Sequence, residues 1–126
     1  MALTKIRYYE GIVPESPGTL NIGNSTNFVA TVTAQDFNSV SDLKLKTNIE
    51  SIENALDTIN KMDGYTFNWK NDGKKGIGVI AQEVAEILPD IVKTEEDGIK
   101  SVSYVSLIPV LIEAIKELSN KIDDLQ

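Results

Sequence analysis

The hydrophobic and polar positions divide this chain of 126 residues into a polar first third and a more regular remainder. Residues 1–40 contain only brief apolar runs, at 19–22 and 28–33, separated by glycines and prolines, which predicts short strands between turns. These runs are too short and too polar to enclose a core of their own. We therefore expect either a flexible arm or a β-rich segment that packs only against copies of itself.

After residue 40 the pattern becomes helical and then alternates. Thr47 and Glu50 have the spacing of a capping box, and apolar residues then recur every three or four positions as far as Ile59. This predicts an amphipathic helix of about 15 residues that ends at Asp63-Gly64. The elements predicted next are a hairpin of 65–69 with 76–81, a short helix over 82–88, and a second hairpin of 91–93 with 99–104.

Aromatic residues share one face of the first predicted hairpin. Tyr65, Phe67 and Trp69 alternate along its first strand, so we expect them to belong to the core. A minor alternative is that they form a peptide- or sugar-binding surface.

The last segment, from Ser106 onward, predicts a long helix that tolerates Pro109 in its first turn. Its apolar residues are spaced like a coiled-coil seam with Ile at a and Leu at d, a choice that favours two strands. Because the seam is shorter than three heptads, it could equally face the core of its own chain. The seam residues are Ile108, Leu111, Ile115, Leu118, Ile122 and Leu125.

Composition narrows the possible functions. The chain has 12 basic and 19 acidic residues, a net charge of −7, which argues against nucleic acid as a partner. The absence of Cys and His excludes disulfides, thiolate chemistry and His-based triads, and it removes the usual zinc ligands. We expect no metal and no cofactor. We also expect no membrane association, because no long apolar run or signal peptide is present, and a cytosolic origin follows as the default.

The candidate chemistry lies at the junction between the two halves, in residues 41–49. A serine hydroxyl needs a base to remove its proton, and without His the candidate bases are Lys, Asp and Glu. A lysine acts as a base only when burial or nearby positive charge lowers a pKa that is ordinarily near 10.4. Lys44 could supply that charge beside Lys46, and burial would come only with assembly. Such a pair would stay inert in an unassembled chain.

Geometry limits the pairing of Ser41 with Lys46. These residues point apart on a helix or a strand, and about 17 Å would separate them in an extended chain. Pairing therefore needs a turn within residues 42–46 or a lysine from a neighbouring subunit. Lys44 is the rival base, since it would meet Ser41 on a helix. Alternatively, Ser41 and Asp42 only form a cap or turn beside solvated lysines.

Three blocks stand out in the second half of the chain. They are Ser41-Asp42-x-Lys44-Leu45-Lys46-x-Asn48-Ile49, then residues 78–84 followed by Leu88-Pro89, and residues 104–111 followed by 113–118. In their order and spacing they resemble the C-terminal intramolecular chaperone domains of phage tail spikes and tail fibres, the S74 peptidase family. The resemblance covers about residues 41–126, and Lys44 stands where the family usually has Arg.

The resemblance implies a chaperone that forms a homotrimer, folds the fibre segment upstream of it and then releases itself. Residues 1–40 would be the end of a β-rich fibre, and residues 41–126 the chaperone domain. Cleavage would occur between Val40 and Ser41, with Ser41 as nucleophile and Lys46 as general base. The alternative is a trimerisation cap that never cleaves and stays attached.

The chemistry of the residues and the family resemblance together lead to further expectations. Asp42, Lys44 and Gln82 receive supporting roles at the site. The fold class is α+β, in which a β-rich arm precedes a helix, small antiparallel hairpins and a long C-terminal coiled-coil helix, assembled as a trimer. The domain would act in the host cell cytoplasm during assembly, and the fibre part would reside in the virion tail.

Overall fold

A computed structural model of the chain describes residue 12 and residues 14–126. The chain divides into two compact units, Met1–Asp36 and Phe37–Gln126. The beginning of the predicted arm, residues 1–11 and residue 13, lies outside the described residues.

The described part of the arm contains turns but no strand. The Asn24 side chain accepts hydrogen bonds from the backbone N–H groups of Thr26 (3.0 Å) and Asn27 (2.7 Å), which forms a local turn. The strands predicted at 19–22 and 28–33 are wrong for the single chain. Both runs are exposed, and a strand needs a neighbouring strand to pair its backbone groups.

The second unit mixes helices and strands, which confirms the predicted fold class at the level of one chain. Short 3-10 helices occupy Leu43–Leu45, Pro89–Ile91 and Tyr104–Ser106. The helices and strands are α1 (Ala55–Asn60), β1 (Tyr65–Asn68), β2 (Lys75–Gly78), α2 (Ala81–Ile87), β3 (Val92–Thr94), β4 (Lys100–Val102) and α3 (Leu107–Asp124).

The two predicted hairpins are confirmed. Strands β1 and β2 pair antiparallel with Tyr65 opposite Gly78, and β3 pairs antiparallel with β4, with Val92 opposite Val102. In the second hairpin the turn before β4 contains Gly98, whose φ of 85° lies in the left-handed region that favours glycine. The short helix α2 and the long helix α3, with Pro109 in its first turn, are also confirmed.

Helix α1 is much shorter than predicted. It begins at Ala55 because the carboxylate of Glu117, on α3, accepts hydrogen bonds from the N–H groups of Ala55 (3.0 Å) and Leu56 (2.8 Å). Asn54, just before it, has a left-handed φ of 54°, which breaks any helix that would arrive from upstream. The capping box at Thr47 is therefore wrong, because a tertiary contact sets the start of the helix.

The aromatic face of the first hairpin is only partly covered. Phe67 is half-buried and contacts Trp69 edge to face at 5.1 Å between ring centroids, but Trp69 is exposed and Tyr65 borders on exposed. The expected core position is wrong for Tyr65 and Trp69. Opposite Phe67 on β2 stands Gly76, which offers no side chain to cover the rings.

The core of the second unit lies between α1 and α3. Leu56, Ile59 and Leu88 are partly buried and pack against this core. The apolar residues that are fully buried in the described chain are Ala55, Val84, Val110 and Ala114. The chain exposes 11,657 Å² in total, whereas a folded monomer of 13.8 kDa exposes about 6,600 Å². A single copy thus leaves about 5,000 Å² more surface in water than a compact chain of its size, and residues 14–54, of which all but Ser25 are exposed, contribute to this excess.

The predicted seam of α3 accounts for part of that surface. All of its residues are exposed, from 43% at Leu111 to 88% at Leu125. Because Val110 and Ala114 face α1, the seam lies on a different face of the helix. The interpretation of the seam as a core-facing stripe is therefore wrong.

Candidate active site

One 3-10 turn, at Leu43–Leu45, reverses the chain between Ser41 and Lys46. The N–H of Leu45 donates to the carbonyl of Asp42, and the N–H of Lys46 donates to the carbonyl of Leu43, both at 3.1 Å. The Asp42 side chain caps the turn, because its Oδ1 accepts a 2.8 Å hydrogen bond from the N–H of Lys44. This is a turn of the kind that pairing of Ser41 with Lys46 requires.

The turn brings the two candidate side chains into direct contact. Nζ of Lys46 donates a hydrogen bond of 2.6 Å to Oγ of Ser41, within the same chain. A general base must lie within hydrogen-bond reach of the proton that it removes, and this pair meets that condition. A neutral lysine amine could accept the Oγ proton along the same line of contact.

The remaining predicted site residues take different positions. Asp42 serves as the cap of the turn, and Lys44 contributes its backbone N–H to that cap. Val40, whose carbonyl would be attacked, is 82% exposed. Gln82 lies in the first turn of α2, and among the described residues no hydrogen bond joins it to Ser41 or Lys46.

The site is open to water in the single chain. Every residue from 40 to 46 is exposed. A lysine becomes a base when burial or nearby positive charge favours the neutral amine. An exposed lysine lacks the first of these two conditions. The contact between Ser41 and Lys46 therefore lies at the exposed surface of the single chain.

A second lysine–hydroxyl contact exists in the chain. Nζ of Lys100 donates a 2.7 Å hydrogen bond to Oγ1 of Thr94, across the β3–β4 hairpin. A short contact of this kind can thus be purely structural. What distinguishes Ser41 is its position at the junction, directly after an exposed residue and in the first of the resembling blocks.

Sequence reasoning missed two polar contacts that shape this unit. Glu117, described above, holds the first turn of α1. The other contact joins the hydroxyl of Tyr65 to Oε1 of Glu83, in the first turn of α2, at 2.8 Å. That hydrogen bond, helped by partial desolvation, raises the pKa of Tyr65 above its ordinary value of 10.0. Glu83 therefore ties α2 to the first hairpin.

Two other kinds of site find no support in the described residues. No group of three or more side chains there could hold a metal ion. Within the same residues, no helix combines the length and apolarity needed to cross a membrane.

Comparison with known proteins agrees with the resemblance in the sequence. Residues 41–93 match the Peptidase_S74 family, described as chaperone of endosialidase. The long tail fiber proteins Gp37 of Enterobacteria phages K3 and T2 are each 36% identical to this chain over 95 residues, and that of Salmonella phage S16 is 32% identical over 103 residues. These alignments cover 68%, 68% and 73% of this chain.

The same alignments cover only 8%, 7% and 14% of the three fibre proteins. The chain thus spans a small part of the length of the curated relatives that it matches.

Proposed function

We propose that the chain, whose residues 41–93 match the S74 peptidase family described as chaperone of endosialidase, is a self-cleaving intramolecular chaperone of a phage tail fibre. It trimerises, guides the folding of the upstream fibre segment, and then releases itself at Val40–Ser41. The observation that carries the proposal is the 2.6 Å contact between Nζ of Lys46 and Oγ of Ser41.

The position of the nucleophile fixes the first chemical step. Ser41 directly follows the scissile bond, so its Oγ attacks the carbonyl carbon of Val40 through a five-membered ring. Lys46 takes the Oγ proton and returns a proton to the departing nitrogen. The C–N bond breaks, and an ester joins the Val40 acyl group to Oγ of Ser41.

Water completes the reaction. Attack of water on the ester breaks the C–O bond, which leaves a carboxylate on Val40 and regenerates the Ser41 hydroxyl beside a new α-amino group. Each chain cuts itself once, because the acyl group that leaves is its own upstream segment. No cofactor or metal enters this sequence of steps.

One feature supports assembly of several chains. The seam of α3 is apolar and exposed along its whole length, and such a seam is the surface through which helices of a coiled coil meet. The choice of three chains over two comes from the family, while the Ile and Leu pattern alone favours two.

The relatives support a place of action in the phage tail. They are named as long tail fiber proteins, so the fibre part of this chain would reside in the virion tail. Folding and release would occur earlier, in the host cell cytoplasm. The residues upstream of Ser41 would then form the end of the fibre, paired only with copies of themselves.

A second candidate function is a cap that trimerises the fibre and stays attached. The exposure of residues 40–46 favours it, because an exposed lysine lacks the burial that makes a base. The Lys100–Thr94 pair shows that such a contact can be structural. The two candidates share their architecture and differ in the fate of one peptide bond.

Trapping of the ester tests the proposed chemistry. Incubation of the assembled protein with neutral hydroxylamine should speed the cut and leave a hydroxamate on Val40, which mass spectrometry detects. The released fragment should begin with Ser41. An intact chain in hydroxylamine, with no fragment after long incubation, would favour the permanent cap.

A further inference from the structure

The side chain of Asp42 makes the one hydrogen bond of the 3-10 turn that depends on residue type. Two hydrogen bonds of the turn, at 3.1 Å each, join backbone groups that nearly every residue carries. The third runs over 2.8 Å from the backbone N–H of Lys44 to Oδ1 of Asp42. It closes a ring that aspartate and asparagine form readily, because their side-chain oxygen reaches the N–H group two residues on.

The turn lies outside the core of its unit. Every residue from 41 to 54 is exposed, whereas the core begins with Ala55. A 3-10 helix of three residues is marginal by itself, because its hydrogen bonds have poor geometry and water competes for its exposed backbone groups. The fraction of chains in which the turn is closed therefore depends strongly on the cap that Asp42 provides.

Closure of the turn brings Lys46 to Ser41. With the turn closed, Nζ of Lys46 lies 2.6 Å from Oγ of Ser41. In an extended chain about 17 Å would separate the two residues. A side chain that keeps the turn closed thus controls how often the base can reach the nucleophile.

The contact of Asp42 uses an oxygen acceptor and does not use the negative charge. In the part of the chain that the structure describes, no ion pair joins Asp42 to Lys44 or Lys46. A carboxylate close to a lysine favours the charged amine, which cannot accept a proton. The side chain of asparagine offers the same acceptor atom without the charge.

We propose that Asp42 is a positioning residue for the self-cleavage: its cap on the N–H of Lys44 holds Lys46 at Ser41, and this cap needs an oxygen acceptor but no charge. The inference rests on the proposed function and adds the residue that fixes the geometry of its reacting pair. The rate of the cut then follows the hydrogen-bonding geometry at position 42. An acceptor of the right reach keeps the pair together, whereas a missing or misplaced acceptor lets the turn open.

Three substitutions at position 42 of the full chain separate the acceptor from the charge. Asp42→Ala removes both, and we expect it to cleave at least about fivefold more slowly, which is the usual effect of losing a side-chain cap. Asp42→Glu keeps the charge but places the oxygens one methylene further out, so it should be slowed to a similar degree. Asp42→Asn keeps the acceptor and should restore cleavage to within about twofold of the unaltered rate.

The turn of the first hairpin provides a matched control. There Oδ1 of Asp72 accepts a 2.9 Å hydrogen bond from the backbone N–H of Lys74, again two residues on. Asp72→Ala removes the same kind of contact from a different turn and should cleave at the unaltered rate. Light scattering should give the same mass for all four variants, because positions 42 and 72 are both exposed.

Two further measurements distinguish positioning from other roles. The dependence of the cleavage rate on pH should keep its midpoint in Asp42→Ala, because only the fraction of closed turns changes, and a shifted midpoint would overturn the inference. In chains that also carry Ser41→Ala, amide hydrogen exchange at Lys44 reports the cap without any cleavage. Exchange should be faster with Asp42→Ala and Asp42→Glu than with Asp42→Asn, and equal exchange in all three would contradict the cap.

The outcomes separate this inference from the proposed function. If the assembled unaltered chain stays whole, or if Ser41→Ala is cut, the proposed function fails and this inference falls with it. If the unaltered chain is cut and Ser41→Ala is not, but Asp42→Ala cuts at the unaltered rate, the role of Asp42 alone is overturned. Slowing of Asp42→Asn or Asp72→Ala to the level of Asp42→Ala would overturn it as well.

Discussion

Glu117 and Leu56 are joined by a 2.8 Å hydrogen bond from the backbone N–H of Leu56 to Oε2, which fixes the start of α1 on α3. The other carboxylate oxygen accepts from the N–H of Ala55. One side chain thus satisfies two backbone donors that a helix start would otherwise leave unpaired. The contact spans 61 positions of the chain and holds together the only pair of helices that forms a core among the described residues.

Replacement of this carboxylate should be costly for stability. We expect Glu117→Ala to lower the free energy of unfolding by about 1–3 kcal/mol, because two N–H groups at the start of α1 lose their acceptors. Glu113→Ala is the matched control, since Glu113 lies one turn earlier on α3 and makes only an ion pair with Lys116. Its change should stay within about 0.5 kcal/mol. Urea unfolding of both variants measures the difference, and equal losses would contradict the role of Glu117.

A close approach at Gly78 leads to a second prediction. A Cβ at this position would overlap the hydroxyl of Tyr104, which also accepts a 3.0 Å hydrogen bond from the N–H of Val79. We expect Gly78→Ala to destabilise the fold by about 1–3 kcal/mol through overpacking. Gly64→Ala should be nearly neutral, since nothing lies within 4 Å of a Cβ there. Thermal unfolding of the two variants checks this, and a stable Gly78→Ala would mean that Tyr104 can move away without loss.

The exposed seam predicts how the chains associate. We expect Ile115→Asp to shift the assembly towards monomers, because a charge in a coiled-coil seam must be desolvated when the helices meet. Asn120→Asp adds the same charge to α3 outside the seam and should leave the assembly intact. Light scattering gives the mass of each variant. A trimer that survives Ile115→Asp would exclude α3 from the interface, and a dimeric unaltered protein would contradict the threefold assembly.

The hydrogen bond between Tyr65 and Glu83 predicts an alkaline titration. The contact raises the pKa of Tyr65, so it stabilises the fold below the tyrosine's ordinary pKa of 10.0, and this contribution is lost as pH rises through the higher folded value. Glu83→Gln removes the charge of the acceptor. Ultraviolet titration of the tyrosinate should then show one of the four tyrosines ionising at lower pH. An unchanged curve would mean that Glu83 does not govern this hydroxyl.

The local sequence pattern predicted most of the elements. Both hairpins, α2 and α3 follow from alternation, turn residues and helical spacing, which are visible among neighbouring residues. The start of α1 could not be predicted in this way, because Glu117, which sets it, lies far along the chain and gives no local signal. The exposure of Tyr65 and Trp69 was also missed, because the hairpin packs few residues against its aromatic face.

The residues of the candidate site could be named from the sequence, but their arrangement could not. Spacing alone separates Ser41 from Lys46, and within one chain only a turn could join them. Asp42 carried a usable signal, because aspartate often accepts a hydrogen bond from the N–H two residues on, as it does here from Lys44.

The central claim is that Ser41 and Lys46 cut the bond before Ser41, and a denaturing gel of the assembled protein over time tests it most directly. The unaltered chain should yield fragments of 40 and 86 residues (126 − 40). Ser41→Ala and Lys46→Ala should each remain a single full-length band, while Thr94→Ala, which breaks the other lysine–hydroxyl contact, should be cut like the unaltered chain. Fragments of the same size from Ser41→Ala, or an unaltered chain that stays whole once assembled, would contradict the account.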